Sequence, residues 1–495
     1  MGSEGANVGA GMSGDAAGGR ISVRATVLVA LIGVFLVALI GAARATAGPP
    51  AGFEIRTVIS GLNQPTAFAY APDGRVFIAE KAGLVRVWDD GRLTTFLDIR
   101  EETNTFSDRG LLGLALDPDF ATNGWVYAGF VQDGDQAQPD QLVPSTNRII
   151  RVKGSAANPN VADGNTGQTV LAGTPQPGPW HTIGQLAFDD RGNLLVGLGD
   201  SSCYYPGFVA TCTLDVQDPD SPVGKVLRFN PETGAGDPRN PYYNPADPMS
   251  TRSRVLALGL RNPYRFSIDA PTGDVWVGDV GNADFEEIDR VPAAPANANQ
   301  VNYGWPCYEG GNGTNAKQTD YSTATLTRDR CATLYSPAEG GTGPGAIPPV
   351  FAWRHTGADA VVAGPVYRGS DYPASYLGRL FFANFVTGAV ITRAPDGTVT
   401  EFGTADGYGN PAEIRTAPNG NIAYADYSGG TIREIVDLDP NDPPRTPDPD
   451  PTPDPDPTPT TSQNPAADPA QTPIPSPAPN PITAPPLRCD GPTAT

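Results

Sequence analysis

Histidine is the rarest residue of this chain: the 495 residues include two, together with five cysteines and three methionines. A zinc site built from Cys and His is therefore nearly excluded by supply alone. Basic residues are also few, 33 Lys and Arg against 54 Asp and Glu, which leaves a formal charge of −21. Nucleic-acid binding is not expected, because phosphate neutralisation needs clustered Lys and Arg. Charged residues reach only 18% and hydrophobic residues 39%, which excludes a coiled coil and a wholly disordered chain.

The long uncharged run of the chain lies close to its N-terminus. Ala25 to Ala43 is free of charge over 19 residues, Arg20 and Arg24 precede it, and the small-x-small sequence Ala45-Thr46-Ala47 follows it. This pattern predicts an export segment over residues 1–47. Two interpretations stay open: a signal peptide cleaved after Ala47, or a retained membrane anchor. Both predict a secreted or cell-surface protein.

The C-terminal residues 437–495 differ sharply in composition from the rest. Twenty of the 53 prolines lie there, with nine Asp against two Arg, around the repeat Thr-Pro-Asp-Pro-Asp-Pro-Thr-Pro at 446–453. Such a segment cannot bury apolar area, so we expect a disordered, extended Pro/Asp-rich tail. It is interpreted either as a spacer, for example to a cell wall, or as a solvated tail without a role.

Between Phe53 and Val436 one pattern recurs six times: an apolar strand, a turn with Gly, and another strand. The copies span Ala67–Ala79, Gly113–Gly129, Gln185–Gly197, Phe266–Gly278, Gly364–Asn384 and Ile414–Asp426. Their flanks are rich in Val, Phe, Ile and Tyr, as expected of hairpins. We therefore predict an all-β fold, a six-bladed β-propeller over residues 50–436, since radial packing shields every sheet edge. A β-sandwich is the alternative.

The cysteines fit an exported protein. Cys203 and Cys212 lie nine residues apart, and Cys307 and Cys331 lie 24 apart within the widest gap between repeats. Export permits disulfides, so we predict that each of these two pairs is bonded. The fifth cysteine, Cys489, lies in the C-terminal tail and has no predicted partner.

Four motifs carry a family resemblance. They are Gly110-Leu111-Leu112-Gly113-Leu114-Ala115 with the following Asp117-Pro118-Asp119-Phe120, His181-x-x-Gly184-x-Leu186, Leu260-Arg261-Asn262-Pro263 and Asn302-Tyr303-Gly304-Trp305-Pro306. With them the chain resembles the soluble quinoprotein glucose/sorbosone dehydrogenases from about Phe53 to Val436. Those proteins are six-bladed propellers that oxidise aldose sugars with pyrroloquinoline quinone (PQQ) and calcium.

The resemblance implies a set of site residues. His181 stands in the place of the general base that takes the sugar hydroxyl proton, a role that suits a neutral imidazole. Arg261 and Asn262 match the pair that holds the cofactor's carboxylates and carbonyls. Gly281 and Asn282 fall where backbone carbonyls bind calcium. The nearby Glu286 and Glu287 are interpreted as surface charge.

The sequence also departs from the family pattern at three cofactor contacts. Asp108 precedes the first motif where the family has Gln, Thr387 replaces a Lys, and residues 410–412 replace an Arg-x-Arg. Two functions therefore remain open. The favoured one is an exported PQQ-dependent oxidoreductase acting on an aldose sugar or similar alcohol, with His181 as base. The other is a non-catalytic cell-surface propeller that binds carbohydrate or protein.

Overall fold

The chain forms a ring of small antiparallel sheets. A computed structural model describes residues 49–134, 140, 145–164, 167–201, 213–282, 284–311, 316–318, 331–355, 357–404 and 409–438. Within these residues 24 strands form six four-stranded sheets. The predicted six-bladed all-β propeller is thereby confirmed. The predicted export segment, the Pro/Asp-rich tail, the Cys203–Cys212 pair and Cys489 lie outside the described residues.

Each blade takes four consecutive strands, apart from the last. The first blade holds β2 (Pro65–Tyr70), β3 (Val76–Glu80), β4 (Leu84–Asp89) and β5 (Arg92–Asp98), and the second holds β6 (Leu111–Leu116), β7 (Trp125–Gln132), β8 (Ser145–Lys153) and β9 (Gln168–Gln176). The third holds β10 (Ile183–Phe188), β11 (Leu194–Leu198), β12 (Lys225–Phe229) and β13 (Val255–Leu258), and the fourth β14 (Pro263–Ile268), β15 (Val275–Asp279), β16 (Phe285–Val291) and β17 (Phe351–Arg354). The fifth holds β18 (Val361–Val366), β19 (Leu380–Asn384), β20 (Ala389–Arg393) and β21 (Val399–Thr404), and the sixth β22 (Pro411–Thr416), β23 (Ile422–Asp426), β24 (Thr431–Asp437) and β1 (Phe53–Ile59). Two four-residue helices, Phe120–Asn123 and Thr251–Arg254, lie between strands. No helix of the described segments has the length and apolar character that crossing a membrane requires.

The sixth blade closes the ring with both ends of the propeller. Strand β1 pairs antiparallel with β24, and Phe53 lies opposite Asp437. The first strand therefore covers an edge that would otherwise be unpaired. This pairing brings the two ends of the propeller together in one blade.

The six sequence repeats are the two innermost strands of the blades. The glycine of the His-x-x-Gly motif shows why close packing near the axis fixes residue type. A Cβ added at Gly184 in β10 would lie 2.3 Å from the carbonyl oxygen of Tyr264 in β14. Only glycine allows the third and fourth blades to approach this closely.

A polar cluster crosses the axis inside the ring. Arg265 is fully buried and donates hydrogen bonds to the carbonyls of Ala412 (2.8 Å) and Thr66 (2.7 Å). Glu413 accepts from the backbone N–H of Phe68 at 2.6 Å and from the side chain of Gln185 at 2.9 Å. These bonds join inner strands of four blades, and every charged atom involved has a partner that offsets part of its desolvation.

A disulfide bond lies in the insertion between β16 and β17. The predicted Cys307–Cys331 disulfide is confirmed, with a sequence separation of 24. Its sulfurs are buried with Tyr308, Leu334 and Tyr335 in a small core of their own. The disulfide therefore joins Cys307, the residue directly after the Asn-Tyr-Gly-Trp-Pro motif, to Cys331 at the start of the described segment 331–355.

Candidate active site

A cavity of about 300 Å³ opens at the end of the ring where the inner strands begin. All six blades contribute to it, because every inner strand starts at this end. The lining residues are Thr66, Lys81, Ser107, Asp108, Leu112, His181, Thr182, Asn262, Tyr264, Val280, Ala360, Val361, Val362, Phe385 and Tyr427. Its size lies at the small end of the range for ligand sites, and its wall is mainly apolar with a few polar groups.

His181 lies on this wall, in the residue pair that precedes β10. Its backbone is left-handed, with φ at 55°, a conformation that costs energy for a residue with a Cβ. The side chain is 11% exposed, and its Nδ1 lies 2.6 Å from Oδ1 of Asp200. No described residue forms a hydrogen bond with Nε2. The carboxylate thus selects the tautomer with the proton on Nδ1 and leaves Nε2 as the acceptor.

Asp200 is a candidate site residue that sequence reasoning missed. It is fully buried, its Oδ2 accepts a 2.9 Å hydrogen bond from the indole N–H of Trp305, and its own N–H donates to the carbonyl of Arg261. A signal existed in the sequence, because Asp200 is the second residue after β11 (Leu194–Leu198), and β11 is the antiparallel partner of the strand that His181 precedes. Ends joined in this way lie side by side.

Arg261 and Asn262 differ in their access to the cavity. The Arg261 guanidinium donates to the carbonyl of Val280 at 2.9 Å and lies 5.5 Å from the ring of Trp305, behind the lining residues. Asn262 is 8% exposed and lines the cavity, and its Oδ1 has no hydrogen-bond partner. A buried amide oxygen without a partner is costly, so this atom is prepared for a donor on a bound molecule.

Three carboxylates gather behind Asn262. The carboxylate oxygens of Asp279, Glu287 and Asp289 lie within 4.8 Å of one another, all three side chains are buried, and both oxygens of Asp289 lack a hydrogen-bond partner. Burial raises the pKa of Asp279 to about 7 and the pKa values of Glu287 and Asp289 well above their usual range. Oxygen ligands in this arrangement fit a hard cation such as calcium.

The interpretation of Glu286 and Glu287 as surface charge is wrong. Glu286 is fully buried, accepts from the backbone N–H of Val361 and lies 2.7 Å from Nε2 of His355. Adjacent residues of a strand point to opposite faces, so the two glutamates are buried on different sides of β16: Glu286 against Val361 of the fifth blade, and Glu287 against Gly310, whose backbone N–H donates to it. His355 is therefore engaged away from the cavity, and its pKa is raised by this carboxylate.

Gly281 and Asn282 lie in the loop that follows β15. The backbone N–H of Gly281 donates to Glu286 at 3.3 Å, and that of Asn282 donates to Oε1 of Glu309 at 2.7 Å. The loop starts directly after Val280 of the cavity wall. It therefore lies between the cavity and the acidic residues of the fourth blade.

Of the positions that depart from the family pattern, Asp108 is among the lining residues of the cavity, and Thr387 and residues 410–412 are not. Asp108 accepts a hydrogen bond from the backbone N–H of His181, and burial raises the pKa of its carboxyl. Thr387 is exposed, and the side-chain amide of Asn410 donates to the carbonyl of Phe385 at 2.7 Å. Among the described lining residues, Lys81 is the sole lysine or arginine. Lys81 belongs to none of the motifs that carry the resemblance.

Comparisons with known proteins place this geometry in a family. The profile of the Glucose / Sorbosone dehydrogenase family matches residues 62–432. Aldose sugar dehydrogenase YliI of Escherichia coli is 25% identical over 408 residues, which cover 81% of this chain and 97% of that protein. Hedgehog-interacting protein of Homo sapiens is 29% identical over 242 residues, 45% of this chain and 33% of that protein.

Solved structures show the same fold. The PQQ-bound aldose sugar dehydrogenase from Streptomyces coelicolor matches with a TM-score of 0.56 and 23% identity, covering 78% of this chain and 99% of that one. The apo form of the soluble aldose sugar dehydrogenase from Escherichia coli matches with a TM-score of 0.59, 23% identity and the same coverage. On the family profile, which spans most of the propeller, the chain belongs to the Glucose / Sorbosone dehydrogenase family.

Proposed function

We propose that the protein is an exported, PQQ-dependent dehydrogenase of an aldose sugar or a similar alcohol, with His181 as the general base. The observation that carries this proposal is the pair of His181 and Asp200 at the wall of the cavity, 2.6 Å apart. A carboxylate on Nδ1 and an acceptor at Nε2 form the arrangement that removes a hydroxyl proton. Export rests on residues 1–47 alone.

The cavity suits a flat, polar cofactor in part. Asn262 offers an unpartnered amide oxygen, Lys81 offers a cation, and Tyr264 and Phe385 offer aromatic faces. PQQ, when bound, would accept the hydride that leaves the sugar carbon. Arg261 would act indirectly, because its guanidinium holds the carbonyl of Val280 on the cavity wall.

The residues of the chain then handle the proton. The substrate O–H would donate to Nε2 of His181, and that atom would take the hydroxyl proton, while bound PQQ would supply the acceptor for the hydride from the same carbon. The oxygen becomes a carbonyl oxygen, so a cyclic aldose becomes a lactone. Asp200 stabilises the imidazolium that results, and the indole of Trp305 keeps the carboxylate in position.

Calcium fits the cluster of Asp279, Glu287 and Asp289. A divalent cation would offset three buried carboxylates that otherwise repel one another. Backbone carbonyls of Gly281 and Asn282, which the resemblance implies as calcium ligands, belong to the adjoining loop. We infer that this cation would stabilise the cavity wall, because Asp279 of the cluster accepts hydrogen bonds from the backbone N–H groups of Arg261 and Asn262.

A second function is supported by the departures from the family pattern. Thr387 and Asn410 carry no charge where the family has basic residues, and the similarity to Hedgehog-interacting protein joins the chain to a protein named for binding another protein. A propeller that binds carbohydrate or protein without oxidising it would follow from these observations.

Reconstitution with PQQ and calcium separates the two functions. Apo-protein is supplied with both, and dye reduction is measured on a panel of aldoses for wild type and His181→Ala. We expect wild-type turnover and a loss of about 10²- to 10⁴-fold in the variant, with unchanged thermal unfolding. Wild-type protein that neither turns over an aldose nor shows a PQQ-dependent thermal shift would contradict the enzyme and favour the binding propeller.

A further inference from the structure

We propose that Lys81 binds a carboxylate of the cofactor. In this chain the basic side chain that contacts the cofactor would then come from the first blade and not from the fifth and sixth. The inference rests on the proposed function and concerns the same cavity. It assigns a binding role to a residue that neither the motifs nor the family pattern single out.

The position of Lys81 is fixed by its backbone and by its neighbours. It follows β3, its N–H donates to the carbonyl of Gln64, and its carbonyl accepts from Leu111. Gly110 packs against its side-chain stem, since an added Cβ there would lie 2.7 Å from Cγ of Lys81. The stem therefore runs through a slot between the first and second blades and ends at the cavity.

The ammonium group has hydrogen-bonding capacity to spare. Nζ donates to the carbonyl of Thr105 at 2.8 Å, and Lys81 forms no ion pair with a described residue. A lysine carries three N–H donors, so two remain for a ligand. Burial lowers the pKa of Lys81, while the carboxylates of Asp108 and Asp140 oppose that effect and favour the charged form.

No other lysine or arginine of the described residues lines this cavity. Arg261 is engaged with Val280 behind the wall, and Asn410 with Phe385 beside it. PQQ carries three carboxylates, and at least one of them needs a cation within the cavity to offset its desolvation. Lys81 is the group that meets this requirement.

The test is equilibrium binding of PQQ to the full-length apo-protein in calcium, followed by ligand fluorescence and without any substrate. Lys81→Gln is expected to weaken binding about 10- to 100-fold, the loss typical of a charge-assisted hydrogen bond. Lys81→Arg keeps the charge and should remain within about 10-fold of wild type. Lys153→Gln, an exposed lysine over the ring of Trp125, is the matched control and should bind as wild type does. Lys81→Met repeats the loss of charge with a different side chain, and thermal unfolding verifies the fold of every variant.

The outcomes distinguish this inference from the proposed function. Wild type that binds PQQ, together with folded Lys81→Gln and Lys81→Met that bind it equally well, would overturn the role of Lys81 and leave the dehydrogenase in place. Wild type that fails to bind PQQ would overturn both. The carboxylate that Lys81 binds could instead belong to a sugar acid. A parallel titration with gluconate alone tests this alternative. Charge-dependent binding of gluconate without binding of PQQ would overturn the assignment to the cofactor.

Discussion

The Oδ1 atom of Asp279 accepts a 2.6 Å hydrogen bond from the backbone N–H of Asn262, while its Oδ2 accepts one of 2.9 Å from that of Arg261. The same carboxylate belongs to the acidic cluster with Glu287 and Asp289. One side chain thus joins the acidic cluster to the cavity wall. Any change in the charge of the cluster acts directly on the backbone that presents Asn262 to a ligand.

Stability should depend on calcium and on pH together. The pKa of Asp279 is raised from 3.8 to about 7 in the folded protein, so the folded state holds its proton longer than the unfolded state does. Without a cation, the contribution of Asp279 to the free energy of unfolding is therefore most favourable below about pH 4 and falls as the pH rises towards 7. The fall is about 1.4 kcal/mol for each pH unit over which only the folded state is protonated.

Thermal unfolding in EDTA and in calcium, from pH 4.5 to 7.5, measures this effect. Calcium should remove most of the decline, because the ionised cluster then has a counter-ion. Asp289→Asn should reduce both the decline in EDTA and the gain from calcium. Equal unfolding temperatures in EDTA and calcium at pH 7.5 would contradict a cation at this cluster.

Loss of the Asp200 carboxylate should affect turnover and spare cofactor binding. Asp200→Asn keeps the shape and removes the charge that orients Nδ1 of His181 and stabilises the imidazolium. We expect turnover to fall by about 10²- to 10⁴-fold. Trp305→Phe, which removes one hydrogen bond to the same carboxylate, should have a smaller effect. Steady-state dye reduction and PQQ binding are measured for both variants, and full activity in Asp200→Asn would exclude the proposed pair.

Affinity for an anionic cofactor should fall as pH rises. The carboxyl of Asp108 faces the cavity, and burial raises its pKa, while the hydrogen bond from the backbone N–H of His181 and the charges of Lys81 and Arg261 act in the opposite direction. At low pH it is protonated and neutral, and as it ionises it repels a bound carboxylate. Because the pKa of Lys81 is lowered, this side chain also loses its positive charge as the pH rises, which weakens the binding of an anionic cofactor further. PQQ titrations from pH 4.5 to 8.5 should show a weaker pH dependence in Asp108→Asn than in wild type; identical profiles would speak against the role of this carboxyl.

The Cys307–Cys331 disulfide should contribute stability through its loop. A bond between residues 24 apart lowers the conformational entropy of the unfolded chain. For a loop of this length, that loss stabilises the folded state by about 3 kcal/mol. Replacement of both cysteines by serine should lower the free energy of unfolding by about that amount. Urea unfolding of the two proteins gives the comparison, and an unchanged midpoint would show that the insertion is held by its tyrosine core alone.

The blade architecture was predictable because it is local in sequence. Each repeat is a hairpin with a glycine turn, and the pattern of apolar strands needs no distant partner to be recognised. His181 was singled out through a motif shared with the family, and that motif is local as well, since it includes Gly184, a residue that the close approach of Tyr264 makes obligatory. The orientation of Glu286 and Glu287 could not be read in this way, because two adjacent acids in a strand resemble a solvated edge until the fourth blade is packed against the fifth.

The sequence by itself determined the six-fold repeat, the pairing of Cys307 with Cys331 and the position of His181. Only the tertiary structure decided what surrounds that histidine. Trp305 lies 105 residues from Asp200 in the chain and yet donates a hydrogen bond to it. Lys81 comes from the first blade and Asn262 from the fourth, and both reach one cavity. The reason is geometric: closing the ring brings the start of every inner strand to the same end of the axis, so residues that are remote in sequence converge there.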